Sequence, residues 1–132
     1  MATIFTKIIR GDIPSHKIAE DENHFSFLDI NPISEGHTLV VPKKETDYFF
    51  DLSEEEIHKA MTFAKKVAKA IDEALSPLRT GIIVQGLEVP HAHIHLVPLY
   101  SKTQPMALGH NVDVTEERMK ELADKISEKV NL

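Results

Sequence analysis

The sequence predicts an α+β fold: a five-stranded, mostly antiparallel sheet with one long helix packed across it and further helices at the termini. Three observations predict it. Five short stretches rich in β-branched, apolar and aromatic residues are bounded by polar or Gly/Pro-containing turns. Between the third and fourth lies one long stripe of apolar residues at three- and four-residue steps. Strands that follow one another across short turns select antiparallel pairing, because a parallel neighbour needs a long crossover.

Ile4, Phe5, Ile8 and Ile9 recur at helical spacing between Thr3, a candidate N-cap, and Gly11, a candidate stop, and predict a short amphipathic helix. Ile13-Pro14 then forces extended chain. Lys17 to Glu20 and His24 to Ile30 read as two strands of a hairpin around the polar turn Asp21-Glu22-Asn23. Asn31 to Gly36 is loop by its Pro and Gly, and His37 to Val41 is a third strand closed by Pro42. Ser53 and Glu56 form a capping-box pair, and Glu54-Glu55-Glu56 suits the positive end of a helix. The stripe Ile57, Ala60, Met61, Ala64, Val67, Ala68, Ile71 and Leu75 carries that helix to Ser76-Pro77. Gly81 to Gln85 is the fourth strand, and after a turn at Gly86 the fifth contains His91 to Leu96. A polar stretch follows Pro98. The final helix opens near Asp113 and Glu116 and buries Met119, Leu122, Ala123, Ile126 and Val130.

A length of 132 residues suits one domain over 1–132, with its core in 3–98 and a C-terminal helical extension over 113–130. With 15 basic and 21 acidic residues the formal charge is −6, which argues against binding a nucleic-acid backbone. Any phosphate must be held locally. The absence of cysteine removes disulfides, thiolate nucleophiles and zinc ribbons. No stretch resembles a signal peptide or a membrane span, so the expectation is a cytoplasmic protein with no membrane partner.

The chemistry-bearing feature is His91-Ala92-His93-Ile94-His95. On a strand its three imidazoles share one face, while Ala92, Ile94 and Leu96 share the other. Spaced imidazoles can do nucleophilic or acid–base work near neutral pH, or hold a metal. His37 could complete a four-nitrogen metal set, although no cysteine or carboxylate ligand is spaced with it.

His91 to Pro98 resembles the signature of the histidine triad (HIT) superfamily of nucleotide hydrolases and transferases. The segments Ile4 to Pro14, Phe27 to Pro32 and Gly36 to Lys44 are similar to family segments in family order, so the resemblance covers residues 3–98. It implies that His93 attacks the α-phosphorus of a purine nucleotide and forms a nucleotidyl-imidazole that water hydrolyses. His91 and His95 would then contact the phosphate, with His37 and a backbone carbonyl in the surrounding network. Asp29 would accept from the ribose hydroxyls. Ile4, Phe5, Ile8, Phe27, Ile30 and Leu39 would sandwich the base. The substrate class implied is a purine phosphoramidate, with dinucleoside polyphosphate hydrolysis or nucleotide binding with weak activity as alternatives. A homodimer joined through the long helix and a strand edge is also implied.

The chain departs from the family at three places. Thr3 and Thr6 stand where many members carry zinc-binding cysteines, so no metal and no cofactor is expected. A few residues are missing between Gln85 and Gly86. Leu87 and Glu88 replace a common Gln and Ser or Thr; an acidic side chain there repels an anion unless it turns away, while Gln85 is a candidate replacement contact.

Overall fold

The computed structural model describes residues 2–132. In chain order the elements are α1 (Ile4–Ile9), β1 (Lys17–Glu20), β2 (His24–Leu28), β3 (Thr38–Pro42), α2 (Glu54–Leu75), β4 (Arg79–Ile83), β5 (Ile94–Leu99) and α3 (Glu116–Lys129). A single 3₁₀ turn at Phe49–Asp51, unread in the sequence, precedes α2. The five strands form one sheet ordered β1-β2-β3-β5-β4, every neighbour antiparallel. The predicted α+β architecture is the one observed.

Local signals set the helix ends. The Thr3 hydroxyl accepts from the Thr6 amide to cap α1, and Ser53 and Glu56 make both bonds of a capping box at α2. Ser76 ends α2 in the left-handed conformation at φ 52°, after which Leu78 N–H bonds to the Leu99 carbonyl. That early pairing moves β4 to Arg79–Ile83 from the expected Gly81 to Gln85. Gly36, at φ +92°, turns the chain into β3 where a Cβ would come within 2.5 Å of Leu75 Cδ1, so a side chain there meets both strain and a clash.

The sheet has two unlike faces. On one, Leu28, Val40, Ala92, Ile94 and Leu96 pack with Phe63, Val67 and Ile71 of α2 and with Met119, Leu122 and Ile126 of α3. Each fully buried Val, Leu or Ile there contributes about 1.5–3 kcal/mol of transfer free energy. On the other face Phe25, Phe27, Leu39 and Val41 are covered by Phe5 and, in part, by Ile8, Ile9 and Val89. A six-residue helix covers little area. The open remainder of this face is where the histidines gather. No helix among the described residues is long and apolar enough to cross a membrane.

One expectation needs correcting. The fifth strand begins at Ile94, so His91 and His93 precede it. β4 reaches only as far as Ile83 opposite His95, and β3 pairs no further than Val40 opposite Ile94. Ahead of that point the Ala92 amide bonds to the Thr46 carbonyl at 2.6 Å. The alternation of faces nevertheless continues: Ala92, Ile94 and Leu96 join the helical core, while Phe5 meets the His91 and His93 rings on the opposite side. β2 also stops earlier than expected, at Leu28, where Asp29 folds into a turn by accepting from Asn31 N–H at 2.8 Å.

Candidate active site

The ring protons of the histidines follow from their partners. His37 Nδ1 accepts from the Ile33 amide at 3.0 Å, so the neutral ring carries its proton on Nε2. That N–H faces His95 Nδ1 at 2.9 Å. His95 must therefore accept at Nδ1 and hold its own proton on Nε2. Burial pushes His37 down to about 4 and His95 down to about 3, the neighbouring imidazoles adding to the effect at His95. Both rings are neutral at pH 7.

His93 has the opposite tautomer. Its Nδ1–H donates to the His91 carbonyl at 2.7 Å, which leaves Nε2 as a lone pair. Burial, opposed by that hydrogen bond, holds His93 below the ordinary histidine range. His93 and His95 lie side by side, ring centroids 4.9 Å apart. Two neighbouring rings thus offer one acceptor nitrogen and one donor nitrogen.

His91 is fully buried and does something different. Its Nε2–H donates to the Pro42 carbonyl at 2.7 Å, and its Nδ1 lies 2.7 Å from the Thr3 hydroxyl. Behind Thr3 the chain of contacts continues to Glu45, which accepts from the Thr3 amide at 3.0 Å and from the Thr6 hydroxyl. Those two donors hold Glu45 below the usual carboxylate range. At the positions where the resemblance places zinc-binding cysteines, hydroxyls already hydrogen-bonded to Glu45 and His91 offer no thiolate, so the set does not fit a zinc ion. With both nitrogens committed, His91 is away from the cavity and orients the segment that carries His93. Sequence position alone does not separate this role from a phosphate contact.

His93 and His95 open into a cavity of about 230 Å³ between α1 and the sheet. Of the expected substrate contacts, Ile4, Phe5, Ile8, Phe27, Asp29, Ile30, Leu39 and Glu88 line it. Gln85, His37 and His91 do not. Ile4 and Ile30 remain 49% and 73% exposed at its mouth, apolar side chains positioned to meet a flat ligand. Ile13, Pro14, Ser15, Leu28, Asn31 and Val89 complete the wall; their sequence signals marked strand, extended chain and turns, with nothing to point at a site. Asp29 both caps its turn and keeps Oδ2 free of it, 3.6 Å from His37 Nε2 and 3.9 Å from His95 Nδ1. Burial raises its pKa, and the nearby Glu88 carboxylate raises it further against the Asn31 hydrogen bond.

Asp29, His37 and His95 bring possible ligand atoms within 4.8 Å of one another. Metal binding asks for convergent lone pairs. Here the two facing nitrogens share a proton, and the other nitrogen of His37 is taken by Ile33. The arrangement suits proton ordering better than coordination.

Comparison with known proteins agrees with this picture. Adenosine 5'-monophosphoramidase hnt1 of Schizosaccharomyces pombe is 36% identical over 132 residues, covering 98% of this chain and 99% of that protein. A Hit-like protein involved in cell-cycle regulation from Bartonella henselae superposes with a TM-score of 0.84 at 30% identity, covering 96% of this chain and 95% of that one. A zinc-bound histidine triad family protein from Mycobacterium smegmatis superposes at 0.83 with 28% identity, covering 98% and 94% of the two chains. The family model for the HIT domain matches residues 10–102, and with most of its length matched in this way the chain belongs to the HIT family.

Proposed function

We propose that the protein is a nucleotide hydrolase that cleaves at the α-phosphate of a purine nucleotide, a phosphoramidate in preference to a dinucleoside polyphosphate, through a nucleotidyl intermediate on His93. The observation that carries this is the pairing of an unprotonated His93 Nε2 with a protonated His95 Nε2 beside an apolar, base-sized cavity. His93 Nε2 attacks phosphorus, a P–N bond to His93 forms, and the bond to the leaving group breaks. The leaving atom takes the electron pair and receives the proton of His95 Nε2, and the negative charge left on the His95 ring is matched by the positive charge that the His93 ring, still protonated at Nδ1, gains on bonding phosphorus. Water then attacks the adduct, the P–N bond to His93 breaks, and the water's proton restores His95. On this reading the Asp29 carboxylate accepts from the ribose, and the walls of Ile4, Ile8 and Phe27 hold the base.

The preference for a phosphoramidate is supported by the lining, which contains no Lys or Arg to neutralise a polyphosphate tail. Similarity to a phosphoramidase over nearly the whole chain supports the same reading. His93→Ala is expected to lower turnover of a fluorogenic adenosine phosphoramidate by at least ~10³-fold, since it deletes the nucleophile. Near-normal turnover by that variant would overturn the mechanism. The active form is read as a homodimer, because β4 is an edge strand that leaves Ile82 half exposed.

A further inference from the structure

Beyond the base cavity lies a smaller one of about 130 Å³, and the two share Asp29, Asn31, Glu88 and His95. A nucleotide with its base among Ile4, Ile8 and Phe27 and its phosphorus at His93 directs its leaving group into this second space. Leu108, Gly109 and Asn111 close its far side. They are held there by the strap that follows β5, whose Val112 amide bonds to the Pro32 carbonyl at 2.8 Å. Asn111 also belongs to the wall of a wide cavity of about 630 Å³ that opens to solvent past Glu35 and Asp113. The three cavities adjoin through these shared lining residues, in the order a route from base to solvent would follow.

The charge along that route is one-sided. None of the residues lining the three cavities is Lys or Arg. Glu35 is neutralised by Arg118, which bonds to both its oxygens. Glu88 and Asp113 make no ion pair among the described residues. Glu88 does not turn away from the site, as an anion-binding role would require; it stands in the walls of both inner cavities. The repulsion expected of an acidic residue before the histidines is therefore present where the leaving group sits.

We propose that Glu88, with the Leu108–Asn111 strap, forms a leaving-group subsite that selects amines carrying a second, cationic group over neutral or anionic ones. The inference rests on the hydrolase reading and gives its substrate class. Leu108 contacts a short alkyl chain, and the carboxylate meets the ammonium at its end. Because Glu88 is solvent-exposed, the selection is modest and screened by salt.

The test uses three adenosine 5'-phosphoramidates of matched length, made from butylamine, 1,4-diaminobutane and 4-aminobutanoate. At low ionic strength the wild type is expected to show kcat/KM about fivefold higher for the diaminobutane compound than for the butylamine one, and the lowest value for the aminobutanoate compound. In Glu88→Gln the ratio of cationic to neutral substrate should fall to within about twofold of one, as should the wild-type ratio at high salt. Taking the ratio within each protein cancels any general loss of activity. A wild-type ratio near one, or the same ratio in Glu88→Gln, overturns the subsite and leaves the hydrolase reading standing. If the wild type turns over none of the three, the hydrolase reading fails and the subsite fails with it.

Discussion

Replacing Thr3 by valine removes one oxygen and keeps the shape of the side chain. That oxygen has three partners: it accepts from the Thr6 amide at 3.1 Å, lies 2.7 Å from His91 Nδ1 and lies 3.3 Å from the Thr6 hydroxyl. Losing the cap costs about 1 kcal/mol. Leaving the buried His91 nitrogen without a donor costs about 1–3 kcal/mol more. The expected loss is therefore about 2–4 kcal/mol, large for a substitution at a partly exposed chain end. A helix of six residues has little stability of its own, so the loss should reach Phe5 and the cover it gives His93. Urea unfolding at pH 7 reads the free energy, and Thr3→Ser serves as the control because it keeps the hydroxyl. The reasoning fails if Thr3→Val lies within about 0.5 kcal/mol of wild type, or if valine and serine cost the same.

The folded pKa values of His37 and His95, about 4 and about 3, lie below the unfolded value, so the folded state binds fewer protons in acid. Stability is complete above the unfolded pKa of about 6.5 and is lost as pH falls toward the folded values; from pH 7 to 5 each ring should cost about 2 kcal/mol. His93 acts in the same direction, while the raised Asp29 opposes it. Urea midpoints at pH 7, 6 and 5 check this, and an unchanged midpoint would refute it. The homodimer reading predicts a dimer by sedimentation at micromolar concentration, weakened when Ile82 on the β4 edge becomes lysine; a monomeric wild type would end it.

The sheet was readable because its strands alternate faces and its turns carry polar residues or glycine, and α2 because both its capping box and its stripe are local patterns. Register was less legible. The face of the three histidines followed from period two, yet where pairing ends depends on the lengths of β3 and β4, which lie far away in sequence. His91 and His95 are equivalent in the motif and part company through Thr3 and His37, partners 88 and 58 residues distant. Glu45 had no signal, being one acidic residue among many until the fold brings it to Thr3 and Thr6. The strap over residues 108–111 lacks periodicity, and the tie of the adjoining Val112 amide to the Pro32 carbonyl shows only in the fold.

Thr3, Thr6 and Glu45 hold the corner behind His91 with oxygen and nitrogen alone. A corner tied by thiolates and an ion depends on the cell's supply of that ion and on its exposure to peroxide. Here chelators have nothing to strip and oxidants have no sulfur to convert. What loosens it instead is acid strong enough to protonate the Glu45 carboxylate, so the same catalytic face should keep its shape through metal starvation and oxidative stress.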